Sequence, residues 1–201
     1  MTVFSATDKL TLDRSKFPPG SEGMGDSYLA CWDSHMRVYQ EVVDNPAIET
    51  ALILEDDVDF DFDIVAKVAR ARAAIGDRPW DIFYLGHCES GWGNPRNALD
   101  SFPGVFHSSS PACTHGYAVS KRGARKLVQE LTPPNAPVDI MLDNLITRKV
   151  LESLAMHPPL ITQVHLKGDQ SDINPDGKFG YVGDNVDTSA EGRLKLLRQL
   201  H

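Results

Sequence analysis

The sequence is short of the features that mark several common protein classes. It has three cysteines, Cys31, Cys88 and Cys113, an odd number without C-x-x-C spacing. They are expected as buried or free thiols, not as a disulfide framework or a zinc site. No apolar run reaches membrane-spanning length, and no signal peptide opens the chain. Positive charge is sparse: 20 Lys and Arg stand against 28 Asp and Glu, a net charge of −8. With no basic cluster, no nucleic-acid surface is expected. There is no Gly-x-x-x-x-Gly-Lys-Ser/Thr loop, which disfavours a P-loop nucleotidase. There is no Gly-x-Ser-x-Gly elbow, which disfavours a serine hydrolase of that kind. Asn45, Asn94 and Asn174 precede Pro, and no other Asn has a hydroxyl residue two places on, so no N-glycosylation sequon is present. The chain itself carries no address: read alone it is cytoplasmic.

What is present is an ordinary globular composition. The 201 residues are 41% apolar and 24% charged, enough for one domain with a real core. Without repeat or linker, residues 1–201 are expected to form a single α/β domain. Its start (1–28) is irregular, apart from a short strand at Val3-Phe4, and 174–201 is a flexible loop with a terminal helix over 188–200. Leu29, Trp32, Met36, Tyr39 and Val43 recur at helical spacing, predicting a helix over 29–44. A lone histidine on it, His35, reads as structural. Further helices are predicted over 64–75, closed by Gly76, over 121–131, and from Asp139 to about Ala155. Strands are predicted at 51–54, 81–86, 102–107 (an edge strand), 117–120 and 158–164. Strand-helix-strand alternation makes the first two parallel neighbours. Residues 90–113, rich in Gly, Pro, Asn and Ser, read as a long loop of the kind that serves as a lid or binding loop or is disordered.

The chain is organised around Ala51-Leu52-Ile53-Leu54-Glu55-Asp56-Asp57. A short apolar run fits a buried strand. Its carboxyl end delivers three acids to the sheet edge where open α/β sheets bind ligands. In an extended chain Glu55 and Asp57 point one way and Asp56 the other. Two converging carboxylates suit a hard divalent cation, Mg²⁺ or Mn²⁺. The acids continue at Asp59, Asp61 and Asp63, but a calcium loop starting at Asp57 needs Gly at its sixth position and Glu at its twelfth. Phe62 and Val68 stand there. His87, Cys88 and Glu89 follow the next strand onto the same edge. Three uses fit: sugar transfer from a nucleotide diphosphate, phosphoester hydrolysis, or a non-catalytic metal- or sugar-binding role.

Four stretches carry a resemblance. They are Cys31-Trp32-Asp33-Ser34-His35, Ala51 to Val58, Trp80 to Gly86, and Cys113 to Ala124, with Pro137-Val138-Asp139 after them. In this order they resemble glycosyltransferase family 25, which includes lipooligosaccharide and collagen hydroxylysine galactosyltransferases and fungal relatives. The resemblance implies a GT-A type fold with a mostly parallel sheet. It implies Mn²⁺ (or Mg²⁺), a UDP-sugar donor, UDP-galactose above others, inversion at the anomeric carbon, and a glycan or hydroxylated acceptor. Glu55 and Asp57 become metal ligands, with His165 as a third. Asp56, His87, His115 and Tyr117 are candidates for donor or substrate binding. Asp139 is the first candidate for the catalytic base, then Glu89 and Asp143, although Asp139 also reads as a helix N-cap. Family members open with an apolar strand that is not found here; Val3 to Ala6 looks like a later one. A degenerate, non-catalytic relative is therefore the alternative reading. The family also works in the secretory lumen.

Overall fold

The computed structural model describes residues 2–88, 98–99 and 102–163. The α/β architecture is as expected, a six-stranded sheet flanked by helices beside a two-stranded ribbon, but the sheet is mixed: among the described residues β3 and β7 are its one parallel pair and the other four pairings are antiparallel. In chain order the elements are α1 (Asp26–Asp44), β1 (Thr50–Leu54), β2 (Val58–Phe60), α2 (Ile64–Ile75) and β3 (Ile82–Tyr84). They continue with β4 (Ala98–Leu99), β5 (Phe102–His107), β6 (Gly116–Ser120), α3 (Lys121–Glu130), α4 (Val138–Thr147), β7 (Ser153–Met156) and β8 (Ile161–Gln163). Val3 and Phe4 form no strand; instead the Arg37 guanidinium lies 4.9 Å over the Phe4 ring, a cation–π contact that tacks the start of the chain to α1.

The large sheet runs β1-β6-β3-β7-β5-β4. β6 is antiparallel to both β1 and β3, and β3 is parallel to β7. So β1 and β3 point the same way but are not neighbours: β6 lies between them. The consequence expected of direct pairing survives, because two strands antiparallel to a common third end on the same edge. β1, β3 and β7 all finish there. β5 is not an edge strand, since it pairs with β7 on one side and β4 on the other. Among the described residues β1 has a neighbour on one side only, and its Leu52 is 51% exposed. β2 and β8 form the ribbon that continues β1 past the acidic turn.

Alternation along β3 divides the core. Ile82 and Tyr84 join a cluster with Trp32, Tyr39 and Val42 of α1, Leu127 of α3 and Leu142 of α4. Phe83 joins the opposite cluster, with Ala71 and Ile75 of α2, and Leu154, Met156 and Ile161. Each fully buried large side chain contributes about 1.5–3 kcal/mol. On α1 the buried stripe is Leu29, Trp32, His35, Tyr39 and Val42, one residue round from the expected one at Met36 and Val43. His35 is thus a polar residue on the core face.

The predicted helix from 139 to 155 is cut short. α4 ends at Thr147, and Lys149 takes a left-handed backbone, φ 59. The amide of Val150 bonds back to Leu145, the chain turns, and residues 153–156 become β7. Its N-cap is Pro137; Asp139 lies inside the first turn and bonds the Ile140 amide at 2.9 Å. An acid in that turn still favours the helix dipole.

α3 is locked onto β3 by two contacts. Asp81, fully buried, accepts from Arg122 Nε at 2.7 Å, Lys126 Nζ at 2.6 Å and the Glu152 amide at 2.8 Å. Gly123 lies so close that a Cβ there would sit 2.1 Å from the Asp81 carbonyl oxygen. Both contact atoms belong to backbone, so neither swings away. Gly123→Ala is expected to cost about 1–3 kcal/mol, read as a lowered urea midpoint; unchanged stability would show that α3 shifts freely on the sheet.

Candidate functional site

The carboxyl edge of the sheet gathers side chains from five elements. β1 hands over to Glu55, whose amide extends the ladder by donating to the His115 carbonyl at 3.1 Å. Asp56 and Asp57 then make a turn into β2, not the extended run expected. The two outer acids still converge: Gln163 Nε2, on β8, lies 3.2 Å from Asp57 Oδ2 and 3.5 Å from Glu55 Oε2. Asp56 is exposed at the turn.

Glu55 is held on its inner side. Oε1 accepts from Thr114 Oγ1 at 2.7 Å, and His35 Nε2 stands 3.8 Å away, a close electrostatic contact beyond hydrogen-bond length. Burial opposes ionisation of Glu55, but its interaction with His35, the Thr114 hydrogen bond and the field of His115 outweigh it, holding the carboxyl below its usual range. Asp57 moves the other way, raised by burial and then by the charge of Glu55. Its Oδ1 is buried with no hydrogen-bond partner. An orphaned buried oxygen costs about 1–3 kcal/mol, and two carboxylates sharing one amide donor are under-neutralised. This donor set could hold a hard divalent cation, through Oε2 of Glu55 and the Asp57 carboxylate. His165 and Glu89 lie outside the described residues. Among the described residues no third Asp, Glu, His or Cys joins this pair in a tight group. The tight group found is Cys88, Cys113 and His115.

Cys88 and Cys113 form a disulfide, contrary to the expectation of free thiols; Cys31 alone remains unpaired. Cys88 follows β3 and Cys113 precedes β6, so strand pairing brings residues 25 apart in sequence to a Cα separation of 5.7 Å. Closing a loop of that length contributes about 3 kcal/mol. The bond also anchors an uncommon backbone: Ala112 and Cys113 take φ 44 and 56, left-handed values that non-glycine residues hold only under constraint. Asp143 supplies the rest, accepting from Ser110 Oγ at 2.6 Å and the Ala112 amide at 3.2 Å. Both its oxygens are thereby engaged.

The histidines are mostly framework. His115, 2% exposed, lies flat on Gly86, where a Cβ would meet its Nε2 at 2.3 Å. That nitrogen donates to the Ile161 carbonyl at 3.2 Å. His87 donates from Nε2 to the Met156 carbonyl at 2.9 Å and stacks on His157. Tyr117 is fully buried, its hydroxyl 2.7 Å from His35 Nδ1 and 2.5 Å from the Tyr39 hydroxyl. Asp139 is half-exposed, and one of its oxygens accepts no hydrogen bond among the described residues. Burial, then the fields of Glu55 and Asp139, push the Cys31 thiol up to about 12. Cavities of about 320 and 260 Å³ lie elsewhere, the larger between residues 7–18 and α1.

Sequence reasoning passed over Thr114, Gln163 and the disulfide. It read His35 as a packed or hydrogen-bonded residue, and the side chain is buried and bonded to Tyr117.

The sequence is similar to those of known glycosyltransferases. The sequence model described as "Glycosyltransferase family 25 (LPS biosynthesis protein)" matches residues 7–92, which include the Cys31–His35 helix, the acidic turn and β3. Procollagen galactosyltransferase 1 of Danio rerio is 26% identical over 172 residues, covering 78% of this chain and 28% of that protein. Procollagen galactosyltransferase 2 of Mus musculus is 29% identical over 113 residues, 55% of this chain and 18% of that protein. Inactive glycosyltransferase 25 family member 3 of Homo sapiens is 26% identical over 158 residues, 70% of this chain and 26% of that protein. The chain thus spans under a third of the length of these relatives.

His87 generates a pH prediction. Burial, against its bond to Met156, lowers its value from 6.5 to about 4. Between those values the unfolded chain takes up a proton that the folded chain refuses, so stability rises with pH through the window and is lost as pH falls. Urea unfolding should show a steeper loss from pH 6.5 to 4 in the wild type than in His87→Gln, which keeps a donor and does not titrate. Equal slopes would contradict a neutral, buried His87.

Proposed function

We propose that this chain, which resembles glycosyltransferase family 25 in sequence and has an α/β fold consistent with it, carries a metal-dependent hexosyltransferase site. It moves a hexose, galactose first among candidates, from a UDP-sugar to a hydroxyl acceptor with inversion. The observation that carries this reading is the convergence of Glu55 and Asp57 at the carboxyl edge, with Asp57 Oδ1 buried and unpartnered. Galactose and a hydroxylated protein acceptor are suggested by the relatives' names; a glycan acceptor remains the other option.

In this reading Glu55 and Asp57 hold Mn²⁺ or Mg²⁺, His165 being the further candidate ligand. A bound divalent cation neutralises the charge that develops on a diphosphate leaving group. The protein's own task is then to take a proton from the acceptor hydroxyl. Asp139 suits it: half-exposed, with an oxygen unclaimed among the described residues. Asp143 is engaged in holding the 110–113 loop, so we assign it to positioning. Asp56, exposed at the turn, is the candidate for outer donor contacts. His87, His115 and Tyr117 support the site from within, through the bonds of their Nε2 and hydroxyl atoms to protein.

A second reading, a non-catalytic scaffold, is favoured by one finding: relatives of similar identity are named inactive. Release of UDP from UDP-galactose separates the two. The transferase reading expects Mn²⁺-dependent release, absent in Asp57→Asn and about 100-fold slower in Asp139→Asn. A folded wild type that releases no UDP with Mn²⁺, whatever acceptor is offered, supports the scaffold.

A further inference from the structure

The acidic edge has a buried polar support that the reaction chemistry does not require. His35 on α1 is 7% exposed, and Tyr39 and Tyr117 are fully buried. Their polar atoms form one line. The Tyr39 and Tyr117 hydroxyls are 2.5 Å apart, Tyr117 Oη is 2.7 Å from His35 Nδ1, and His35 Nε2 is 3.8 Å from Glu55 Oε1. The carboxylate end fixes the direction of the line. At 3.8 Å the contact is electrostatic and not a hydrogen bond, and the field of an ionised carboxylate favours the tautomer that carries its hydrogen on Nε2. In the neutral ring Nδ1 is then the acceptor and Tyr117 the donor. Tyr117 in turn accepts from Tyr39. The two hydrogen bonds of the line, Tyr39 to Tyr117 and Tyr117 to His35, then run in the same direction, an ordering in which they polarise one another.

We propose that His35 is the positioning residue of Glu55, with Tyr117 and Tyr39 fixing its tautomer, so that Glu55 offers a divalent cation one oxygen only. The proposal rests on the metal-site reading above. Oε1 is committed inward, to Thr114 at 2.7 Å and to the face of His35. Oε2 faces outward to Gln163, which also bonds Asp57. Rotation of the carboxylate would exchange the two oxygens and bring Oε1 to the cation. The inner contacts oppose that rotation, and α1 thereby acts on the metal without touching it. Groups placed this way behind metal ligands typically set affinity by about 10–100-fold. The assignment also accounts for two of the three tyrosine hydroxyls in this cluster, those of Tyr39 and Tyr117: together they satisfy each other and His35.

The test is calorimetric titration of the full chain with Mn²⁺ alone, with thermal unfolding of each variant alongside. His35→Ala should weaken Mn²⁺ binding about tenfold. His35→Gln, which restores a donor near the Nε2 position, should recover most of the loss. Tyr117→Phe, which keeps the ring and removes the hydroxyl, should weaken binding by a smaller factor and keeps the proposal testable if His35→Ala fails to fold. A merely structural His35 predicts folded variants with wild-type affinity and no rescue by Gln; that result overturns the assignment while leaving the metal site standing. Wild type that binds no Mn²⁺, or binds it equally well as Asp57→Asn, overturns the metal-site reading and this proposal with it.

Discussion

Two carboxylates confined to one side of a tight turn repel each other, and much of the surrounding structure is arranged around that repulsion. Glu55 is kept ionised by neighbours on its inner face. Asp57 is left short of partners and pushed toward the neutral form. A single amide from Gln163 reaches both, but an amide supplies hydrogen bonds without charge. Two close carboxylates with so little neutralising charge are unfavourable for stability by themselves, and perturbed acids of this kind are typical of functional sites.

The topology explains how so many groups reach this edge. By lying antiparallel between β1 and β3, β6 brings its own beginning beside their ends. Thr114 and His115 thus arrive from the opposite chain direction to meet Glu55 and Gly86. The disulfide and Asp143 then hold the approach to β6 in its left-handed conformation. On the other side α1 presses His35 and Tyr39 against Tyr117. The acidic turn is therefore clamped between an α1 face and a tethered loop, while the rest of the helical packing, including the Asp81–Gly123 contact, stays remote from it.

What was legible in the sequence was local. The apolar run ending in acids, the helical period of α1, Gly76 as a helix stop and the α/β alternation are set by near neighbours, and each is found. What was missed depends on residues far apart in the chain. Thr114 and Gln163 lie 59 and 108 positions from Glu55, and Cys88 and Cys113 meet only because their strands pair. No spacing rule encodes those meetings. The end of α4 was hidden for a different reason: the apolar spacing runs on through Val150, Leu151 and Leu154, and only the left-handed turn at Lys149 assigns the later residues to β7. The expected neighbour relation of β1 and β3 failed because alternation fixes direction without fixing which strand is inserted between.

The central claim is that Glu55 and Asp57 hold a divalent cation through which a nucleotide donor is recognised. Calorimetry of UDP binding to the full chain, with and without Mn²⁺, tests it most directly, with Asp57→Asn as the paired variant. The account predicts UDP binding that requires Mn²⁺ and disappears in Asp57→Asn while the fold is retained. UDP binding that is indifferent to Mn²⁺ and to Asp57, or none by a folded wild type, would contradict it.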